Sequence, residues 1–184
     1  MRPVIYAINL TLDGCCDHTA VSGSDEILDY FTRLLRESDL LVYGRKTYEL
    51  MVPYWPDVAR AGVESKASLE FAGTFDALDK LVFSRTLASG AEAKTRVVGT
   101  EPGAEIARLK RGAGKSILVG GVTIPAQLAA AGLIDEYRFV IHPTLAGTGR
   151  RLWDNARLPD HPPLRLELCE RLPSGCVALR YLRA

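Results

Sequence analysis

The chain is short of cysteine and histidine and has no excess of either charge, and each shortage argues against a class of function. Four cysteines, Cys15, Cys16, Cys169 and Cys176, are too few in 184 residues for a disulfide framework, and none stands at the C-x-x-C spacing used for zinc or thiol exchange. Reduced thiols are expected. Cys169 and Cys176 flank a predicted hairpin turn, where a bridge is conceivable but small half-buried residues are the favoured reading. The three histidines, His18, His142 and His161, lack metal-ligand spacing, and neither an H-E-x-x-H pair nor a G-x-S-x-G elbow occurs. No metal site and no hydrolase chemistry are expected, and His142 and His161 read as structural. With 23 basic against 22 acidic side chains there is no field to draw in nucleic acid or an anionic membrane. No apolar run approaches the ~20 residues that cross a bilayer. The start of the chain, broken by Asn9, Thr11 and Asp13, lacks the features of a secretory signal, so a cytoplasmic protein is expected. The Rossmann fingerprint is missing too. Its nearest imitation, Gly147-Thr148-Gly149-Arg150-Arg151-Leu152, runs into the proline-rich stretch Pro159 to Pro163 rather than a helix, and reads as a strand-exit turn.

What remains is a chain 47% hydrophobic and 24% charged, able to bury a core as one domain over residues 1–184. Val4 to Leu10 is almost continuously apolar, as a strand buried on both faces would be, with Asn9 the exception. Ser24 is placed to cap a helix ending near Ser38, with Asp25 and Glu26 in its first turn. Leu40 to Tyr43 reads as a strand stopped by Gly44, and Arg45 to Met51 as a helical turn closed by Pro53. Further on, Glu64 to Ala72 looks helical, Lys80 to Phe83 and Arg96 to Val98 extended, and Ala104 to Arg111 helical. Ser116 to Val119 is a strand leading through Gly120-Gly121 into a helix from Thr123 to Ala131, ended by Gly132. Glu136 to Ile141 is a strand, and Leu164 to Leu172 with Cys176 to Leu182 forms an antiparallel hairpin around Pro173-Ser174-Gly175. Strands alternating with helices, followed by strands alone, predict an α/β fold: a mostly parallel sheet flanked by helices, with an antiparallel hairpin at its edge.

Three predicted strands end in loops that share one edge of such a sheet, the edge where open parallel sheets bind ligands. Their residues suit a phosphorylated dinucleotide. Arg45, Ser84, Arg85 and Thr86 offer the charge-assisted and hydroxyl hydrogen bonds that a 2′-phosphate needs, which favours NADPH over NADH. Gly120 and Gly121 allow close backbone approach, and the helix starting at Thr123 points N–H groups at a pyrophosphate. The plainer alternative is solvated arginines and a tight turn.

The set Leu12-Asp13-Gly14, Tyr43-Gly44-Arg45-Lys46-Thr47-Tyr48-Glu49, Val82-Phe83-Ser84-Arg85-Thr86-Leu87, Leu118-Val119-Gly120-Gly121, Leu133-Ile134-Asp135-Glu136 and His142-Pro143 followed by Gly147-Thr148-Gly149 resembles the dihydrofolate reductase-like superfamily. Within it, the chain resembles the stand-alone proteins similar to the C-terminal reductase domain of the bifunctional riboflavin-biosynthesis deaminase/reductase. The resemblance implies a mainly eight-stranded sheet, NADPH as hydride donor and often a homodimer. It also implies that Gly44, Arg45, Lys46 and Thr47, with Ser84, Arg85 and Thr86, serve the adenosine phosphate, and that Gly120, Gly121, Val122 and Thr123 serve the pyrophosphate.

On the substrate side the segments Cys15 to Thr19 and Met51 to Trp55 are expected at the mouth of the cleft, with Asn9, Met51 and Trp55 as substrate-binding candidates. Asp13, Asp17 or His18 is expected to relay the proton that accompanies hydride transfer, although Asp13-Gly14 is also a common turn device. Asn9 faces either a ligand or neighbouring backbone, and Trp55 either a planar substrate or the core. The expected activity is reduction of a small planar heterocycle or related carbonyl or imine compound, as in 5-amino-6-(5-phosphoribosylamino)uracil reductase or dihydrofolate reductase. The alternative is a binding protein of the same fold that performs no turnover.

Overall fold

The computed structural model describes residues 1–16, 23–87, 92–154, 158 and 163–184. Among these residues eight strands form one sheet: β1 (Val4–Thr11), β2 (Ser38–Gly44), β3 (Asp79–Phe83), β4 (Thr95–Val98), β5 (Ser116–Val119), β6 (Glu136–His142), β7 (Leu164–Arg171) and β8 (Val177–Arg183). The spatial order is β4-β3-β2-β5-β1-β6-β8-β7. Strands β4 through β6 in that order pair in parallel, whereas β8 runs antiparallel to both β6 and β7. This is the mostly parallel sheet with a C-terminal hairpin that the strand–helix alternation predicts.

The helices are α1 (Asp25–Arg36), α2 (Arg45–Ala61), α3 (Lys66–Ala77), α4 (Pro102–Lys110) and α5 (Thr123–Ala130). Period-2 alternation along the buried strands supplies two cores. Val4, Tyr6, Ile117 and Val119 meet Ile106, Ile124 and Leu128 of α4 and α5. Ile5, Ala7, Leu41 and Leu118 meet Leu34 of α1, Val52 of α2 and Phe75 of α3 on the other face. Among the described residues no helix is long and apolar enough to cross a membrane.

Two local expectations are corrected. Pro53 does not close α2, which continues past both Pro53 and Pro56 to Ala61. Tyr48, Val52 and Pro56 stay buried at spacings of four, so the apolar stripe holds the helix against the α3 side and offsets the two backbone hydrogen bonds that the prolines remove. Ser24 occupies the N-cap position of α1, but its side chain makes no capping bond. The first-turn acids turn outward instead: Asp25 accepts from the Ser65 hydroxyl at 2.8 Å, and Glu26 from the Ser174 backbone N–H at 2.8 Å.

Connectivity places the ligand edge. Strands β1 and β2 leave over the face that carries α1, α2 and α3, while β5 leaves over the face that carries α5. Since β5 lies between β2 and β1, its exit loop departs opposite to both neighbours, opening a crevice on each side of its C-terminal end.

Candidate functional site

Strands β3, β2 and β5 are neighbours, so the loops that begin at Ser84, Gly44 and Gly120 lie side by side on that edge. Their contact is close enough to dictate glycine. A Cβ on Gly120 would lie 2.6 Å from the Tyr43 ring, and one on Gly121, where φ is +86°, would lie 2.3 Å from Thr47 Oγ1. One on Gly44 would stand 3.3 Å from Ile124 Cγ1. The Gly120-Gly121 pair is therefore required by its neighbours, independently of any ligand, and its smallness lets the starts of α2 and α5 meet. Beneath it Tyr6 donates its hydroxyl to the Gly121 carbonyl at 2.9 Å. The Tyr6 ring is held edge-on by Phe139 at 5.6 Å and by Trp153 at 5.7 Å. Burial pushes the Tyr6 phenol well up, so it stays a hydrogen-bond donor.

The two helix starts that meet here are unusual in their chemistry. Gly44 at the N-cap of α2 and Val122 at that of α5 provide no side-chain cap, and neither helix has an acidic residue in its first turn. Of the other helices, α3 is capped by Ser65 and α4 by Glu101, which accepts from Gly103 and Ala104, while α1 lacks a cap but carries Asp25 and Glu26 in its first turn. Cations stand at the starts of α2 and α5 instead, where the helix dipole is positive. Arg45 and Lys46 open α2, with Arg45 bonded to Glu49 at 3.0 Å. Arg150, from the loop after β6, donates to Thr123 Oγ1 at 3.0 Å. Uncapped N–H groups, positive dipole ends and guanidinium groups in one place are the donor set of an anion site.

The loop after β3 is arranged by Ser84, whose hydroxyl oxygen accepts the N–H groups of Thr86 at 3.2 Å and Leu87 at 2.9 Å. This leaves Arg85 and Thr86 exposed at the edge, next to the β2 loop. Two of the three expected cofactor loops thus touch directly through Gly44, Thr47, Gly121 and Ile124, and the third adjoins them through the neighbouring strand.

To the right of β5 the picture differs from expectation. Asp13 is not poised as a proton relay. Its carboxylate accepts from the Thr11 hydroxyl at 2.5 Å, from Ala146 N–H at 3.1 Å and from Gly147 N–H at 2.9 Å. These bonds, the Thr11 hydroxyl first, hold its carboxyl well below the usual carboxylate range, so it is ionised and accepting at neutral pH. Asp17 and His18 lie outside the described residues. Cys15 is buried, and Cys16 is half-buried with its thiol on the Arg150 carbonyl at 3.1 Å. Burial pushes the Cys16 thiol up, which keeps it neutral. All four cysteines are free, Cys169 and Cys176 included.

Asn9 meets its partner on the adjacent strand: its Oδ1 lies 3.1 Å from Nε2 of His142. Burial pushes the His142 imidazole down, so the neutral ring donates and the Asn9 oxygen accepts. Met51 and Trp55 face the packed side of α2, with the Trp55 ring 4.4 Å from that of Phe71 in α3 and half-buried there. Both pack half-buried with the α2–α3 core.

Arg150 and Tyr6 are the site residues that sequence reasoning missed. Arg150 stood inside the glycine-rich run Gly147 to Leu152, which resembled a phosphate loop in composition while failing the helix requirement. Tyr6 gave no signal beyond being a polar-tipped residue in a buried strand.

A model of the RibD C-terminal domain matches residues 2–178. The YyaP protein of Bacillus subtilis, itself uncharacterized, is 29% identical over 98% of this chain and 94% of its own. A Shewanella sp. PV-4 protein named for riboflavin biosynthesis superposes with a TM-score of 0.74 at 21% identity, covering 99% of each chain. The diaminohydroxyphosphoribosylaminopyrimidine deaminase/5-amino-6-(5-phosphoribosylamino)uracil reductase of Thermotoga maritima superposes with a TM-score of 0.67 at 15% identity, over 100% of this chain and 57% of that one.

Proposed function

The chain belongs to the RibD C-terminal domain family, and from that premise we propose that it is an NADPH-dependent reductase of the riboflavin-pathway type. The observation that carries this reading is the meeting of two uncapped, acid-free helix N-termini at Gly120-Gly121, with Arg45 and Arg150 beside them. The residues present fit a phosphorylated dinucleotide. Gly120, Gly121, Val122 and Thr123 would hold its bridging phosphates, while Arg45, Lys46, Thr47, Ser84, Arg85 and Thr86 would hold the phosphate of its adenosine. When bound, NADPH supplies the hydride.

The chain's own residues orient and exclude. Asn9 of β1, whose side-chain oxygen is held by His142 of β6, is the polar group available to a planar heterocycle in the crevice between β5 and β1. Asp17 and His18 are the proposed proton carriers, Asp13 being committed to its three donors. Relatives named for pyrimidine reduction favour a pyrimidine or similar heterocycle as acceptor. A homodimer is also proposed, supported by the exposed edge strand β7 with Leu164, Leu166 and Leu168 outward. Light scattering on the purified protein measures its mass directly.

Calorimetry with NADPH and NADH on the unaltered protein and on an Arg45→Ala, Arg85→Ala double variant tests the cofactor. NADPH is expected to bind tighter than NADH, and the double variant to lose that preference by about 10- to 100-fold. If neither nucleotide binds at millimolar concentration, the reading falls. One observation favours a non-catalytic binder of the same fold: Asp13, one of the three expected proton carriers, is tied to the Ala146 and Gly147 N–H groups and held ionised. Oxidation of NADPH on adding a pyrimidine acceptor, followed by absorbance, decides between the two.

A further inference from the structure

The loops after β1 and β6 are stitched into a single unit. Leu12 N–H donates to the Thr144 carbonyl at 2.9 Å, Cys16 N–H to Arg150 at 2.9 Å, and Leu152 N–H to Gly14 at 3.2 Å. Cys15 and Arg151 form an antiparallel bridge. Asp13 is the central fastener: its carboxylate takes the N–H groups of Ala146 and Gly147, and the Arg151 guanidinium lies on its carbonyl oxygen. The stitching fixes the path of the chain from Ala146 to Leu152, and Arg150 leaves that path to reach Thr123.

That destination is electrostatically unfavourable for the protein alone. A guanidinium beside the positive end of α5, which has no acid in its first turn, is repelled by the helix dipole. Its backbone explains why it stays: the Arg150 carbonyl accepts both the N–H and the thiol of Cys16. A doubly charged bridging diphosphate resolves the conflict, since it takes the α5 N–H groups on one side and the guanidinium on the other. One donor of Arg150 rests on Thr123 Oγ1, and the planar fork has others to present to phosphate oxygens.

We propose that Arg150 is a diphosphate-binding residue of the dinucleotide site and that Asp13 is the positioning residue that aims it. The proposal deepens the nucleotide reading above and rests on it. Arg150 acts on the diphosphate from the β6 side of the crevice, while Arg45 and Arg85 on the opposite side serve the 2′-phosphate, so the dinucleotide is held from both walls. Asp13 touches no ligand and works only through the loop it fastens.

The test is calorimetry of Arg150→Ala, Arg150→Lys, Asp13→Asn and the Asp13→Asn, Arg150→Ala double variant. Three probes separate the contacts: NADPH, ADP-ribose, which keeps the diphosphate without the 2′-phosphate, and 2′-AMP, which keeps only the latter. Arg150→Ala is expected to weaken NADPH and ADP-ribose by about 10- to 100-fold and to leave 2′-AMP unchanged. Arg150→Lys retains the charge but loses the fork, and falls between. Asp13→Asn is expected to give the same ligand pattern, and the double variant to lose no more than Arg150→Ala alone, because both act through one contact. Arg150 is exposed, so its variants leave the core intact. Unchanged NADPH and ADP-ribose affinity in Arg150→Ala overturns the proposal by itself, as does an equal loss for all three probes. Additive losses in the double variant overturn the role of Asp13. If the unaltered protein binds none of the three, the nucleotide reading falls and takes this proposal with it.

Discussion

Helices α4 and α5 each follow a four-residue parallel strand across a short loop and pack into the same core, yet their N-termini are built in opposite ways. Helix α4 is closed on itself. Pro102 opens it, Glu101 takes the N–H groups of Gly103 at 2.9 Å and Ala104 at 2.8 Å, and Glu105 in the first turn binds Arg96 and Arg108 at 2.8 Å. Helix α5 has none of this: Val122 cannot cap, no acid follows, and Arg150 stands where a carboxylate would be favourable. Helix α4 satisfies its own first turn, whereas α5 leaves its turn open, as the proposed diphosphate site requires. The contrast makes α4 an internal control for α5.

The largest effect is expected from Gly121→Ala. Its Cβ would stand 2.3 Å from Thr47 Oγ1 at a φ of +86°, so Thr47 in the first turn of α2 must shift and the backbone is strained. Destabilisation of about 1–3 kcal/mol by urea titration, with loss of nucleotide binding by calorimetry, is expected. In the first turn of α4, Gly103→Ala meets only the movable Glu101 carboxylate at 3.1 Å and should be mild.

Thr123→Asp converts α5 towards the α4 pattern. A carboxylate in the first turn should stabilise the protein by about 0.3–1 kcal/mol while weakening NADPH by about tenfold or more through repulsion of the phosphates. Opposite signs in the melting and binding experiments are the distinguishing result; a fall in both, or a rise in both, breaks the comparison.

Glu101→Ala, the reciprocal change, should lower the melting temperature and leave NADPH affinity where it was. The smallest effect concerns acid. The Arg108 and Arg96 guanidinium groups hold Glu105 down at about 2 against its ordinary 4.5, and two backbone N–H groups hold Glu101 below the usual range. Both folded values lie below the unfolded ones, so this stabilisation is complete above about pH 4.5 and drains away as pH falls towards 2. Glu105→Gln should flatten the stability profile in that window, measured by urea titration at stepped pH.

Much of this architecture was legible in the sequence because the relevant forces act over short spans. The limits of β5, Ser116 to Val119, follow from four apolar or small residues between Lys115 and a glycine pair, and the hairpin of β7 and β8 from Pro173-Ser174-Gly175. That the three cofactor loops share one edge follows from parallel strands each leading into a helix, whereas their adjacency comes from β5 lying between β2 and β1. What escaped was set by partners distant in the chain. Asp13 looked like a turn residue or an acid because its two backbone donors come from Ala146 and Gly147, over a hundred residues away. Arg150 looked like part of a strand-exit turn because Thr123 reaches it only through the folding of β6 beside β1. Pro53 misled for the converse reason: a local rule gave way to the buried stripe of Tyr48, Val52 and Pro56.

The ring of Trp153 against Tyr6 has an optical consequence. The chain has two tryptophans, and they sit on opposite faces of the sheet, Trp55 in the α2–α3 packing and Trp153 under the start of α5. With Trp55→Phe, the one remaining indole lies a single phenol away from the Gly121 carbonyl, so its emission becomes a local gauge of whether the first turn of α5 has been filled.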